Sequence, residues 1–173
     1  MKKIQLFLLA MAMATSMFPM FSLDGCKTKG LTELGNLETF EYDYGSFNGG
    51  YWRFEITKAD DGVAGSDSEY LFIAQGSNGI DLDVEAYVGQ DTLDDLAAII
   101  VSNDILSWDG FSGSDNDVLD GYSFTLKVES TEGTIFASAY MKLPDNYDQG
   151  HAALSKYLVD LADRLGNTDS GRF

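Results

Sequence analysis

Along three stretches of this chain apolar residues alternate with polar ones, and a period of two is what half-buried β-strands require. Phe40, Tyr42 and Tyr44 alternate with Glu41 and Asp43; after Asn48-Gly49, Trp52, Phe54 and Ile56 alternate with Arg53 and Glu55. The pair predicts a hairpin turning at Asn-Gly, a dipeptide that adopts the positive φ angles of tight turns. Tyr70 to Ala74 is a continuous apolar run. Past Gly76-Ser77-Asn78-Gly79, the set Ile80, Leu82, Val84, Ala86 and Val88 alternates with Asp81, Asp83, Glu85 and Tyr87. This predicts a second hairpin with one buried and one acidic face, the acids being a solvated outer row. Between the hairpins, Ala59 to Ser68 is rich in Asp, Gly and Ser and reads as an exposed loop.

The period then changes to that of a helix. Leu93, Leu96, Ala97 and Ile100 share one face, Asp91 or Thr92 is placed to cap the start, and Asp94 and Asp95 suit the positive end of the dipole; the end falls near Asn103. Trp108 to Gly121 reads as a loop. Tyr122, Phe124, Leu126 and Val128, followed by Ile135, Ala137, Ala139 and Met141, predict a third hairpin around Thr131-Glu132-Gly133, with Pro144 ending its second strand. From about Gln149 to Leu165, a stripe of Leu154, Tyr157, Leu158, Leu161 and Leu165 predicts an amphipathic helix with Gly166 placed to end it. The expected fold class is therefore α+β: an antiparallel sheet of about six strands in three hairpins, with two helices packed on one face. The aromatic set Phe40, Tyr42, Tyr44, Trp52, Phe54 and Ile56 has the period of a core face rather than of an exposed stacking surface.

The N-terminus obeys a different logic. Lys2 and Lys3 precede a stretch from Ile4 to Phe21 that has no charge and only Gln5, Thr15 and Ser16 as polar breaks. That is the layout of an export signal, and Pro19 suits a processing region better than a spanning helix. Leu23-Asp24-Gly25-Cys26 then resembles the bacterial lipobox, which implies diacylglycerol attachment to Cys26 and cleavage before it, with Asp24 standing where a small uncharged residue is usual. Ala12-Met13-Ala14 offers an alternative A-x-A cleavage site. Cys26 is the chain's one cysteine, so no internal disulfide is possible and a lipid accounts for the thiol. The expected organisation is a signal peptide over 1–25, a tether over 26–39, a single α+β domain over 40–166 and a flexible tail over 167–173. The expected location is the cell envelope, outside the cytoplasm.

Composition narrows the partners. The chain has 173 residues, 45% of them hydrophobic, enough for one well-buried core. Its 28 acidic residues outnumber 11 Lys and Arg, giving −17; loss of residues 1–25 removes two Lys and one Asp and leaves −18. Such a charge repels nucleic acid and anionic lipid, so membrane attachment falls to an apolar group. Elbow, P-loop, dinucleotide and zinc-protease motifs are missing from the sequence. The one histidine, His151, lies near Asp148 at the predicted start of the last helix and reads as a surface or capping residue. A Gly-rich acidic loop carries Asp109, Asp115, Asp117 and Asp120; its hard oxygen ligands suit calcium, with Asp115, Asp117 and Asp120 as candidate ligands, although the spacing departs from an EF-hand.

Trp108-Asp109-Gly110, Leu119-Asp120-Gly121 ahead of an aromatic strand, and Leu143-Pro144 ahead of the last helix resemble a pattern in uncharacterised lipoproteins and secreted proteins of gut bacteria. Phe124 stands where that pattern has Trp, and Ala139 where it has Gly. The likeness covers about the C-terminal third and implies no activity. The expected function is an envelope-anchored module that binds an extracytoplasmic ligand or protein. The rival expectation is a carboxylate-based or calcium-assisted hydrolase, for which two close, partly buried acids in one pocket would speak.

Overall fold

A computed structural model describes residues 33–46, 49–59, 69–77, 81–115 and 121–169. The leader, residues 26–32 of the predicted tether with Cys26, Ile80, and the candidate ligands Asp117 and Asp120 lie outside them. In chain order the described elements are strands β1 (Leu37–Ser46), β2 (Gly50–Lys58), β3 (Tyr70–Ser77) and β4 (Asp81–Val88), helix α1 (Gln90–Ser102), a 3-10 turn (Ile105–Trp108), strands β5 (Ser112–Ser114), β6 (Tyr122–Ser130) and β7 (Gly133–Tyr140), and helix α2 (Tyr147–Asp169). The strands form one seven-stranded sheet in the order β4-β3-β2-β1-β6-β7-β5. All neighbours are antiparallel except β5, which runs parallel to β7.

All three hairpins form, and their registers align the apolar positions across the sheet. Ala86, Phe72, Ile56, Phe40, Val128 and Ile135 make one cross-strand row. Val84, Ala74, Phe54, Tyr42, Leu126 and Ala137 make the next, and Leu82, Gly76, Trp52, Tyr44, Phe124 and Ala139 a third. Phe40, Tyr42, Phe54, Ile56, Phe72, Leu126 and Val128 are fully buried there, each large apolar side chain contributing about 1.5–3 kcal/mol. Leu93, Leu96 and Ile100 of α1 and Leu154, Leu158 and Leu161 of α2 belong to the same core. Among the described residues no helix is long and apolar enough to cross a membrane.

Five expectations are corrected. The sheet has seven strands, because Ser112-Gly113-Ser114 pairs through its backbone with Ser138-Ala139-Tyr140 inside what reads as a loop; three polar and small residues carry no apolar period. Strand β1 begins at Leu37, inside the predicted tether, and Leu37 is buried. Neither Asp91 nor Thr92 caps α1: the cap is Gly89, with no side-chain hydrogen bond, and Thr92 is itself buried. Met141 falls just past β7 at φ 64° and is exposed, so the inward alternation stops at Ala139.

The fifth correction concerns Gly166, which does not end the last helix. Helix α2 continues to Asp169, through Gly166 and into the predicted tail, and a Cβ at Gly166 would sit 3.3 Å from Val84 Cγ2. The glycine thus permits close helix–strand approach instead of a left-handed cap.

Candidate functional site

Strand alternation puts adjacent residues on opposite faces, so the rows between those of the core define a second surface. One row there is Glu85, Ile73, Glu55, Glu41, Lys127 and Phe136; another is Asp83, Gln75, Arg53, Asp43, Thr125 and Ser138. Asp83 and Glu85 are exposed, as the outer-row reading expects. Charges further in are paired: Arg53 Nη2 donates to Glu55 at 3.0 Å, and Lys127 Nζ lies 3.0 Å from Glu129 and 3.7 Å from Glu41.

The row nearest the β1–β2 turn is different in kind. It runs Tyr51, Gly45, Ser123, Tyr140, two aromatic residues separated by a glycine and a serine. Strands spaced about 4.8 Å apart put the two tyrosine backbones about 14 Å from each other. The gap is a groove of about 380 Å³, lined by Asp43, Gly45, Ser46, Tyr51, Ser123, Thr125 and Tyr140 and reaching Tyr44 and Phe124 at its inner end. That volume is in the range of small-molecule sites, about 300–1,000 Å³. Gly121 closes one end; a Cβ there would lie 2.7 Å from the Tyr140 ring, so the glycine lets the ring take its place.

Asp43 is the groove's one carboxylate among the described residues. Tyr51 donates its hydroxyl to Asp43 Oδ1 at 3.4 Å, and Arg53 Nε lies 3.9 Å from the same oxygen. Burial pushes the Asp43 carboxyl up, more than the Arg53 guanidinium beside it draws it down. The Tyr51 phenol is raised as well, by burial first and then by the Asp43 charge. Tyr140 accepts a hydrogen bond from Gly121 N at 3.2 Å.

Immediately behind the groove floor is a second polar cluster, on the core face of the sheet. Tyr42 is fully buried, and its hydroxyl is 2.8 Å from His151 Nδ1 and 3.2 Å from the Tyr147 hydroxyl, which is in turn 2.7 Å from that of Tyr122. The imidazole stacks on Tyr147 at 5.2 Å and meets Tyr44 edge-on at 4.6 Å. His151 is therefore neither a surface nor a capping residue. It sits one turn into α2, half-buried, with burial lowering its pKa against the smaller upward pull of Asp148. With Nδ1 as acceptor, Tyr42 donates to His151, Tyr147 to Tyr42 and Tyr122 to Tyr147, so every hydroxyl is used.

The acidic loop is only partly placed. Asp109 Oδ1 accepts from Phe136 N at 3.2 Å, and Gly110 N donates to Phe136 O at 2.9 Å, so this residue extends pairing along β7. Asp115 N donates to Tyr140 O at 2.9 Å. Among the described residues no group of three His, Cys, Asp or Glu is arranged to hold a metal. Of the predicted motif, Trp108 is fully buried, stacks on Tyr147 at 5.3 Å and donates to Asn146 Oδ1 at 2.7 Å; Asn146 Nδ2 donates to the carbonyls of Asn103 and Asp104 at 3.1 Å. Those contacts are structural and join the end of α1 to the start of α2.

Sequence reasoning passed over Gly45, Tyr51, Ser123 and Tyr140. A signal was present: Tyr51 and Tyr140 occupy the outward phase of their strands, where polar residues are the norm. No protein-family model matches the chain, and no curated protein matches it in sequence.

Proposed function

We propose that the protein is an exported lipoprotein, held in the cell envelope through Cys26, whose free sheet face binds a small ligand without transforming it. The observation that carries this reading is the groove between Tyr51 and Tyr140, in which Asp43, beside the Arg53 guanidinium, is the one carboxylate among the described residues. Glycoside and peptide hydrolysis by carboxylates alone needs a second acid at a set distance from the first. Contacts of α2 with Tyr42, Tyr44 and Val84 all fall on the core rows, and we infer that both helices cover that face, leaving the groove open to solvent. The leader and lipobox supply the address.

Two measurements test the reading. Incorporation of a labelled fatty acid into wild type and its loss in Cys26→Ala support the anchor, and label retained in Cys26→Ala refutes it. For the groove, small probes at millimolar concentration are expected to perturb the backbone amides of Gly45, Ser46, Tyr51 and Ser123 and to be recovered unchanged. Probe cleavage that disappears in Asp43→Asn would replace binding by hydrolysis. Calcium held by Asp115, Asp117 and Asp120 would raise the melting temperature at millimolar calcium, since a ligand of the folded state alone stabilises it. An unchanged melting temperature removes calcium from the account.

A further inference from the structure

The groove's chemistry narrows its ligand, on the premise that the groove is the binding site. Among the described residues no Lys, Arg or His lines it, so an anion finds no counter-charge there. Its one carboxylate among the described residues has Arg53 at 3.9 Å, a guanidinium it shares with Glu55 at 3.0 Å, so a cation there competes with a charge already in place. Ser46, Ser123, Thr125 and the phenols of Tyr51 and Tyr140 offer hydroxyls that both donate and accept. A purely apolar ligand would offer nothing to the hydroxyls of Ser46, Ser123 and Thr125.

An extended peptide is disfavoured by topology. Strand addition needs an unpaired sheet edge, and β1 and β6 beneath the groove are each paired on both sides. What the walls do provide is a pair of aromatic residues, with Tyr51 48% exposed, flanking a floor of Gly45 and Ser123. An aromatic face packs on the C–H face of a sugar ring, while a carboxylate accepts from the ring's hydroxyls.

We propose that the groove takes a neutral polyhydroxylated ligand, a sugar residue of a glycan, with Asp43 accepting from its hydroxyls and Tyr51 stacking on its ring. Arg53 is a positioning residue: it holds the Asp43 carboxylate and does not line the groove.

The test uses the full-length chain in mild detergent and three kinds of probe: neutral methyl glycosides and oligosaccharides, the cation lysine methyl ester, and the anion glucuronate. Binding is followed by calorimetry and by backbone amide shifts. Neutral sugars are expected to bind and to shift Gly45, Ser46, Tyr51 and Ser123. Asp43→Asn and Tyr51→Ala should each weaken binding about tenfold or more, while Tyr51→Phe, which keeps the ring, should lose less than Tyr51→Ala. Groove shifts with lysine methyl ester or glucuronate but with no neutral sugar would overturn the sugar assignment and leave the groove a binding site. Shifts with none of the probes overturn both. Sugar binding unaffected by Asp43→Asn and Tyr51→Ala would place the sugar elsewhere and also refute the proposal.

Discussion

Tyr42 and Asp43 are neighbours in the chain and opposite in environment. Tyr42 points into the core, where its hydroxyl joins His151 to Tyr147 and through it to Tyr122, a chain in which each hydroxyl has a protein partner. Asp43 points outward, raised in pKa by burial and held loosely by Tyr51 at 3.4 Å and Arg53 at 3.9 Å. Both clusters join tyrosines to one titratable group. The inner one has its hydroxyls paired within the fold, which stabilises it; the outer one is held by longer contacts at the surface, where the proposed ligand would compete for them.

The largest effects are expected on the inner side. Trp108→Ala removes a fully buried ring and its bond to Asn146, and should lower unfolding free energy by about 3–5 kcal/mol, read by denaturant titration. Tyr42→Phe keeps the ring but deprives His151 Nδ1 and the Tyr147 hydroxyl of their partner, with an expected loss of about 1–3 kcal/mol. A loss as large as that from Trp108→Ala would mean that the ring, not the hydroxyl chain, is disturbed.

Proton linkage sharpens the same contrast. The His151 pKa in the fold is below its ordinary 6.5 because burial disfavours the imidazolium. The unfolded chain therefore takes up the proton first, and this contribution to stability is present above about pH 6.5 and lost as pH falls from there toward the folded value. Tyr42, Tyr44, Tyr122 and Tyr147 face the ring, with Asp148 as the charge opposing the shift. Melting temperature between pH 7 and 5 should fall less steeply in His151→Asn than in wild type; equal slopes would remove His151 from the pH response.

Asp43 carries the opposite sign. A carboxyl raised above its ordinary 3.8 favours the fold while protonated, and that contribution is lost as pH rises through the window between 3.8 and the folded value. At neutral pH the ionised group is a small burden, so Asp43→Asn should leave stability within about 0.5 kcal/mol of wild type or raise it. Clear destabilisation would show that Asp43 is part of the scaffold.

Much of the fold was legible because the period of two survives in every hairpin, from Phe40 and Phe54 to Leu126 and Ala137, and because burial follows that phase. What escaped was written in backbone pairing or in missing side chains. Ser112-Gly113-Ser114 has no pattern to read, and Gly166 looks like a helix stop until Val84 is seen against it. The site escaped for a related reason: Gly45 and Tyr51 lie 72 to 95 residues before Ser123 and Tyr140 in the chain, and only the β1–β6 pairing brings the two pairs into one row. His151 was misread because its partners, Tyr42 and Tyr44, come from the other end of the domain.

The central claim is that one strand carries a structural residue and a ligand-contacting one side by side. Neutral-sugar affinity of Asp43→Asn and Tyr42→Phe, measured together well below both melting transitions, tests it most directly. The account predicts an affinity lowered about tenfold or more in Asp43→Asn and near wild type in Tyr42→Phe. Equal affinities in the two variants, or a greater loss in Tyr42→Phe, would contradict it.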